Sequence, residues 1–380
     1  DAAPLHVTVD FDRKAGDGRA YLDVSAEDIG AWSPLLRYAG VVAEHGNGRV
    51  QAWTELRKHR VVLVTADARL RQVALRGAPL PASAASTRIA FEQMEARMRW
   101  RLVSGGWRLD APRLRVGTAP AVQTLDGLVV AGGDRYALLA DQVDAAPLFA
   151  VLGLSDRVDA GLRRWLVQAQ PGARLARLNL AGRRHGALRA EGQLRDIAFK
   201  AVGDAPGLSG LAGDFEGDAD GFRLRLDPSA TMRFDWPSGF AVVHDVRLRG
   251  DMLGWREGSG WRVGTTALQV QGKDYAADLR GGLWFQGDGT RPWIDLAADL
   301  ADAPVPVAKR FWVHHKMSKT AVDWLDAALV GGTVRNGRAL VSGDLDDWPF
   351  TRQNGRFEAV AQIQHGQFKF QPEWPQLEQV

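Results

Sequence analysis

The chain has 380 residues, of which 46% are hydrophobic, enough for two or three domains with sizeable cores. Its 48 basic and 45 acidic residues are interspersed and leave a net charge of +3, which argues against a nucleic acid partner. It contains no cysteine, and this excludes disulfides, thiolate metal sites and thiol catalysis.

The start and the hydropathy of the chain bear on its location. No apolar run approaches the 18 or so residues that a membrane-spanning helix needs. The first residues, DAAPLHVTVDF, lack the basic and then apolar start of a signal peptide. Both ends have the pattern of interrupted strands, so we expect a part of a longer protein whose targeting signals lie outside this sequence.

Alternation of apolar and polar residues predicts β-strands along most of the chain. It recurs, in chain order, in HVTVDF, RVVLVTADARLRQVAL, GWRLDAPRLRV, ARLARLNLAG, GWRVGTTALQVQG and GRFEAVAQIQHGQFKFQP. Such runs, closed by Gly, Pro, Asp or Asn, are typical of an antiparallel meander. The expected fold class is therefore all-β and mainly antiparallel, with a few short helices.

A first short helix is predicted in SDRVDAGLRRWLVQAQPG, residues 155–172. Its apolar positions at helical spacing are Val158, Leu162, Leu166 and Ala169. Ser155 or Asp156 is the predicted N-cap, and Pro171 with Gly172 is the predicted stop.

A second short helix is predicted in SKTAVDWLDAALVGG, residues 318–332. Here Ser318 is the predicted N-cap, and Gly331 with Gly332 is the predicted stop. The apolar stripe consists of Val322, Leu325 and Leu329.

The two predicted helices have matching surroundings, which indicates an internal repeat. Val143 and Leu300 each precede a proline by four residues and lie 157 residues apart, and the tryptophans Trp165 and Trp324 lie 159 apart. A weaker earlier copy begins near Ile29. We expect one continuous segment, 1–380, with approximate repeats 1–135, 136–293 and a truncated 294–380.

The stretch GFRLRLDPSATMRFDWPSG, residues 221–239, places six large apolar side chains on one face of a sheet. Alternating strands by themselves favour a closed sandwich or barrel, in which a second sheet covers such a face. Two observations favour an open, curled sheet instead. One short helix per repeat is too little to cover five or six strands, and long open sheets curl.

Two turns share some features with binding sites. The acidic run EGDADGFRLRLD, residues 216–227, partly matches a calcium loop, but its last position is Asp227 and strand begins at position 7, so an acidic hairpin turn is the better interpretation. Trp255 and Trp261, on either side of GSG, suit a cross-strand aromatic pair better than a carbohydrate site.

The segment KRFWVHHKMSK, residues 309–319, clusters basic and aromatic residues. Its functional interpretation is a lip that meets lipid phosphates or a membrane surface, formed by Lys309, Arg310, Trp312 and Lys316. The plainer interpretation is a loop that leads into a helix, with its aromatic residues against the sheet edge. Adjacent His314 and His315 point to different sides, so they do not predict a metal site.

No motif predicts catalysis. The sequence has no phosphate-binding loop, no G-x-G-x-x-G opening a helix and no G-x-S-x-G elbow. We therefore expect neither an enzyme nor a cofactor.

Residues 311–375 resemble the YhdP family of AsmA-like proteins. The resemblance rests on the helix with Trp324 and Leu325, the turn Ser342-Gly343-Asp344, the segment Trp348-Pro349-Phe350, and FQP and WP at residues 370–372 and 374–375. Thinner resemblance, in RAYLDVSAEDIGAW and GWRLDAPRLRV, extends it to the whole chain. Similar architecture occurs in TamB and in eukaryotic bridge-like lipid transfer proteins.

This resemblance implies an elongated β-groove of U-shaped section, in a periplasmic protein anchored in the inner membrane by an N-terminal helix that precedes Asp1. The implied partners are phospholipids, the inner membrane and other envelope proteins, and the implied task is lipid transport to the outer membrane. The alternative function is a periplasmic scaffold with closed sheets. The predicted groove lining is Phe222, Leu224, Leu226, Met232, Phe234, Trp236, Leu268, Val270, Leu283 and Phe285.

Overall fold

The computed structural model describes residues 5–34, 37–80, 86–118, 121–371, 373–378 and 380. The chain divides into two compact units, Asp1–Leu194 and Arg195–Val380. The boundary between them lies inside the predicted repeat 136–293, and the division into repeats stays a prediction.

The first unit is an antiparallel sheet whose strands pair largely in chain order. The strands are β1 (Leu5–Asp12), β2 (Asp17–Ala26), β3 (Arg37–Tyr38), β4 (Val41–Arg57), β5 (Arg60–Pro79), β6 (Ser86–Val103), β7 (Gly106–Thr118), β8 (Ala121–Gly133), β9 (Arg135–Asp144), β10 (Gly172–Arg183) and β11 (Leu188–Ala198), which crosses the unit boundary. β2 pairs with β4, β3 adds to β4, and the series continues from β4 to β10. β1 pairs with β2 and with no other described strand.

The second unit is also an antiparallel sheet. Its strands are β12 (Gly207–Ser209), β13 (Gly213–Asp218), β14 (Gly221–Leu226), β15 (Thr231–Asp235), β16 (Val243–Glu257), β17 (Gly260–Gly272), β18 (Tyr275–Phe285), β19 (Trp293–Leu300), β20 (Ala303–Pro304), β21 (Leu329–Asp344) and β22 (Gly355–Phe368). β14 and β15 pair with successive parts of β16, and the series then runs through β17, β18, β19 and β21 to β22. In the described chain, β22 pairs with no strand of this unit other than β21.

These pairings confirm a mainly antiparallel β fold with a few short helices. Within each unit the sheet does not close into a barrel among the described residues. β-Bulges interrupt the registers at several places, for example between Thr265 and Leu268 of β17, and bulges bend strands and increase their twist.

The described residues form three α-helices: α1 (Ala146–Leu152), α2 (Ala160–Ala169) and α3 (Lys319–Ala328). The two predicted helices, α2 and α3, are confirmed, and Ser318 caps α3 by accepting a hydrogen bond from the Ala321 backbone N–H at 3.2 Å. The predicted stop of α3 is wrong, because the helix ends at Ala328, and Leu329, Gly331 and Gly332 belong to β21. No helix among the described residues has the length and apolar character needed to cross a membrane.

The predicted cap of α2 is wrong, and α1 was not predicted. The cap is Asp159, whose carboxylate accepts from the backbone N–H groups of Gly161 and Leu162 at 2.8 and 3.1 Å. Ser155 and Asp156 precede it in the connection between the two helices. α1 has only seven residues, too few for a helical period to stand out from the surrounding strands.

Candidate functional site

Strand register gathers the large apolar side chains of the second unit on one side of its sheet. Leu224 lies opposite Met252, Leu248 opposite Val270, and Leu268 opposite Leu279. The same face continues from Leu283 of β18 along β19, β21 and β22, through Ile294, Leu296, Val341 and Phe357. Because side chains alternate between the faces of a strand, matched registers on eight strands produce one continuous apolar face.

The first unit has an apolar face built in the same way. Val9 lies opposite Ala20 and Leu22 opposite Ala52. The face continues across β5 to β10 through Ala66, Met98, Leu70, Met94, Val116, Leu114, Leu125, Val143 and Leu175. Each unit therefore has an apolar face of its own.

The opposite face of each sheet carries charged residues that pair with one another. In the first unit Asp23 binds Arg49 at 2.5 Å, and this hydrogen bond lowers the carboxyl pKa to about 2. In the second unit Asp251 binds Arg223 at 2.5 Å, and the guanidinium lowers the pKa of that carboxyl as well. These polar faces suit water, so the apolar faces are the surfaces that need a cover.

One end of the apolar face in the second unit is covered by an aromatic cluster. The cluster consists of Phe234, Trp236, Phe240, His244, Tyr275, Phe311 and His315. Phe311, in the 3-10 helix Val305–Phe311, stacks on His244 with ring centroids 4.8 Å apart. Beneath it Leu226, Val246 and Leu248 are buried, so this end of the face is a packed core.

His244 is the polar centre of the aromatic cluster. It is 6% exposed, its Nδ1 lies 2.9 Å from the Tyr275 hydroxyl, and its Nε2 lies 3.1 Å from the Arg310 carbonyl oxygen. Burial lowers the pKa of His244 from its usual value, because the low-dielectric surroundings disfavour the charged imidazolium. The sequence offered no signal for this residue, since its partners come from two distant segments.

One end of the apolar face in the first unit is covered by α1 and α2. Leu154, between them, is 1% exposed and packs against Gly77 of β5. Arg163 of α2 is 4% exposed, and its guanidinium donates to the carbonyl oxygens of Ala78 at 2.6 Å and Gly153 at 3.2 Å. These bonds fix the helices to the end of β5.

A cavity of about 650 Å³ lies between these helices and the start of β6. Its apolar wall is formed by Ile89, Phe91, Pro147, Ala150, Leu154, Leu166 and Val167, and Arg88, Gln123 and Gln170 contribute polar groups. A cavity of this size is within the range that holds a drug-sized molecule or a stretch of hydrocarbon.

The other end of each apolar face is exposed. In the second unit Phe222 is 38% and Phe285 is 45% exposed, although both lie on the same face as the buried Leu226. In the first unit Leu102 and Trp107 are exposed at the end far from the helices. Large side chains that face water beside a packed core form a surface suited to an apolar ligand.

The structure brings most of the predicted lining residues together. By register, Phe222, Leu224, Leu226, Met232, Phe234, Leu268, Val270, Leu283 and Phe285 lie on the apolar face. Trp236 follows β15, donates its indole N–H to the Asp204 carbonyl oxygen at 2.7 Å and packs against Phe240. Leu226 and Phe234 belong to the covered end, whereas Phe222, Leu283 and Phe285 lie toward the open end.

Three of the four predicted lip residues are held by internal hydrogen bonds. Lys309 Nζ donates to the Asp326 carbonyl oxygen at 2.6 Å, Trp312 Nε1 donates to the Asp326 carboxylate at 2.9 Å, and Arg310 donates to the Lys273 carbonyl oxygen at 3.0 Å. Lys316 is exposed. The lip therefore stays a prediction that rests mainly on Lys316.

The acidic run at 216–227 forms a hairpin turn. Asp218 Oδ1 accepts from the backbone N–H groups of Asp220 and Gly221, both at 2.9 Å, which closes the turn between β13 and β14. In the described part of the chain, no group of three His, Cys, Asp or Glu side chains is arranged to hold a metal ion.

The predicted pairing of Trp255 with Trp261 is wrong. The turn between β16 and β17 has two residues, and it pairs Trp255 with Arg262 and Arg256 with Trp261. The two tryptophans are offset by one residue and lie on opposite faces, Trp261 beside Phe222 on the apolar face and Trp255 on the polar face. A one-residue offset always reverses the face, and the sequence left the turn length undetermined.

Comparison with known proteins agrees with this architecture. The whole chain, residues 1–380, matches the model of the family described as YhdP protein. The chain belongs to the YhdP family. It is 21% identical over 378 residues to the intermembrane phospholipid transporter YhdP of Escherichia coli strain K12, an alignment that covers 95% of this chain and 29% of that protein. No solved structure matches the chain.

The apolar face of the first unit was not predicted as a candidate site. Its residues are smaller than those of the second unit, with Ala20, Ala52, Ala66 and Ala96 at several inward positions. Alternation of small residues gives a weaker signal than alternation of Phe and Leu. The spacing of polar residues on β4 to β7 was the available clue, because Arg, Asp and Glu occupy nearly every second position there.

Proposed function

We propose that this chain is a non-catalytic conduit segment that binds phospholipid acyl chains on its apolar faces during lipid transport between the inner and outer membranes of the Gram-negative envelope. The observation that carries the proposal is the exposed end of the apolar face, where Phe222 and Phe285 remain in contact with water. Hydrocarbon tails would cover these residues while headgroups stay in water at the edge of the sheet.

The free energy of burying apolar side chains favours binding of an apolar ligand over leaving the face exposed to water. Burying one large apolar side chain contributes about 1.5 to 3 kcal/mol, so covering several of them stabilises a bound lipid substantially. The attraction follows the buried area and has no preferred direction, which suits a ligand that slides. Family membership supports the same task, because the E. coli relative is named as an intermembrane phospholipid transporter.

The site of action follows from this proposal. A segment that carries lipid between two membranes works in the periplasm, and the longer protein would be anchored in the inner membrane. The groove would be the curled form of the apolar faces, with the residues Phe222, Leu283 and Phe285 in direct contact with acyl chains. Lys316 is the basic residue best placed to meet lipid phosphates.

The alternative function, a scaffold with closed sheets, requires each apolar face to be covered by protein. The covered ends, under α1 and α2 and under the aromatic cluster, fit that alternative. The exposed ends favour the conduit, because among the described residues no second sheet within either unit covers them.

The proposal is tested by placing a charge at the open end of the apolar face. We expect Phe285→Asp to fold, because Phe285 is already 45% exposed, and to reduce copurified phospholipid and uptake from liposomes by at least about fivefold, because a carboxylate is costly to bury against hydrocarbon. Lipid extraction with mass spectrometry measures the first quantity, and transfer of a fluorescent phospholipid from vesicles measures the second.

Two matched variants serve as controls for Phe285→Asp. Val360→Asp places the same charge on the polar face of β22, where Val360 is 70% exposed, and should leave lipid binding unchanged. Leu226→Asp, at a position only 4% exposed, should unfold the second unit. Wild-type protein that carries no phospholipid and acquires none from liposomes would overturn the proposal, as would equal lipid binding by Phe285→Asp and Val360→Asp.

A further inference from the structure

Three tryptophans form a row across the polar face of the second unit. Trp255 of β16 lies opposite Arg262 of β17, which lies opposite Trp284 of β18, which lies opposite Trp293 of β19. Adjacent strands are about 4.8 Å apart, so the row is about 14 Å long. Elsewhere this face carries mostly charged residues, and three indoles in one row need an explanation other than strand alternation.

A shallow depression of about 210 Å³ adjoins the row. Its floor is formed by Gly264, Gly281 and Gly282, which have no side chains, and its walls include Trp284 and Trp293. A Cβ atom on Gly282 would lie 2.3 Å from the Val263 carbonyl oxygen, so close strand packing requires a glycine there and keeps the depression open. The volume is below the roughly 300 to 1,000 Å³ that drug-sized ligands occupy and suits one small ring.

Polar groups surround this depression. Asp295 lies at its edge, is exposed, and has no ion pair or hydrogen bond through its carboxylate among the described residues. The Arg262 guanidinium lies over the Trp284 ring, 5.0 Å from its centroid, and forms a close ion pair with Glu257. The Trp284 indole N–H is buried and lacks an acceptor within the described part of the chain.

The surroundings favour a small ligand over a protein partner. Beyond the depression, Arg223 binds Asp251 and Arg280 binds Asp299, so the neighbouring charges are already satisfied within the sheet. A stable protein interface buries about 1,200 Å² or more of total surface and has an apolar centre. Here the apolar area is limited to one row of rings beside one ring-sized depression.

We propose that this tryptophan row and its glycine floor bind a carbohydrate chain of equatorially substituted pyranose rings. Such a ring has an apolar C–H face, which stacks on an indole, and a rim of hydroxyl groups, which bind a carboxylate and a guanidinium. Trp293 and Trp284 supply the stacking surface, and Asp295 and Arg262 supply the hydrogen bonds. The site lies on the face opposite to the proposed lipid surface and does not depend on that function.

The test uses cellotriose and triacetylchitotriose, two trisaccharides with equatorial substituents. Saturation-transfer NMR on the whole chain should show transfer to the ring C–H protons of at least one of them. Asp295→Ala should weaken binding at least about fivefold, and Trp293→Ala should weaken it at least tenfold. Trp53→Ala is the matched control, since Trp53 is 43% exposed on the polar face of the first unit, away from any glycine floor, and it should bind as wild type does.

Each outcome decides the proposal. Loss of transfer in Trp293→Ala and Asp295→Ala, with retention in Trp53→Ala, supports it. Absence of transfer from both trisaccharides to the wild-type protein overturns it, as does unchanged binding in Asp295→Ala. That variant should fold normally, because the Asp295 carboxylate forms no bond with any described residue. Lipid uptake by Asp295→Ala should equal that of wild type, so failure of this site and failure of the lipid proposal are separable.

Discussion

The two units cover one end of their apolar faces by different physical means. In the first unit a helix pair is fixed by directional bonds from the buried Arg163 guanidinium to backbone carbonyl oxygens. In the second unit the cover is a stack of rings, in which Phe311 contacts Phe240, His244 and Tyr275. The helix pair stands off the sheet and leaves a cavity, whereas the ring stack lies on a packed core.

This difference separates a feature that both units share from one that varies between them. Both units bury one end of the apolar face and leave the other exposed, although unrelated structures do the covering. The shared property is therefore the open end, and the choice of cover is local. The difference between the covers also predicts that substitutions affect their stability unequally. Loss of the hydrogen bonds that hold the helix pair should destabilise its unit more than loss of one ring from the stack.

Removing the bonded cover should have the largest effect. Arg163→Ala leaves the Ala78 and Gly153 carbonyl oxygens without their buried donor and should destabilise the first unit by about 3 kcal/mol. Arg164→Ala, on the exposed side of the same helix, should change stability by less than about 0.5 kcal/mol. Urea denaturation followed by circular dichroism measures both, and equal midpoints would contradict the anchoring role of Arg163.

Disrupting the stacked cover should cost less. Phe311 is 37% exposed, so Phe311→Ala should destabilise the second unit by about 1 to 2 kcal/mol, through three lost ring contacts and not through a buried unsatisfied group. Near-ultraviolet circular dichroism should lose intensity, because the rings lose their fixed environment. Phe285→Ala, at an open-end position, is the matched control, and a loss of stability as large as that of Phe311→Ala would argue against a distinct cover.

Sequence reasoning succeeded where a local pattern determines the structure. The alternation in GFRLRL and TMRFD gave the strands and their faces, and Ser318 followed by a helical stripe gave α3 together with its cap. The strands depend on a two-residue periodicity, and the helix depends on residues within one or two turns of one another. Tertiary contacts did not override either local pattern.

Prediction from sequence failed where the structure depends on contacts between distant segments or on the length of a turn. The offset between Trp255 and Trp261 depends on a two-residue turn, which places the two side chains on opposite faces of the sheet. The aromatic cluster joins His244 to Phe311 across 67 positions of sequence, and Arg163 reaches back 85 positions to Ala78. No periodicity in one strand or helix reports such a contact.

The smallest predicted effect comes from protonation of His244 within the stacked cover. Burial lowers its pKa in the folded state, so below the usual value of 6.5 the unfolded chain takes up a proton that the folded chain excludes. Stability of the second unit should therefore be full above pH 6.5 and decrease as the pH falls below it, by less than the effect of Phe311→Ala. His244→Gln should lose this part of the pH dependence when melting temperatures are measured from pH 7.5 to 5.5. His185→Gln, at an exposed position of the first unit, should retain the wild-type profile, and an unchanged profile in His244→Gln would show that the ring stack admits the charged imidazolium without cost.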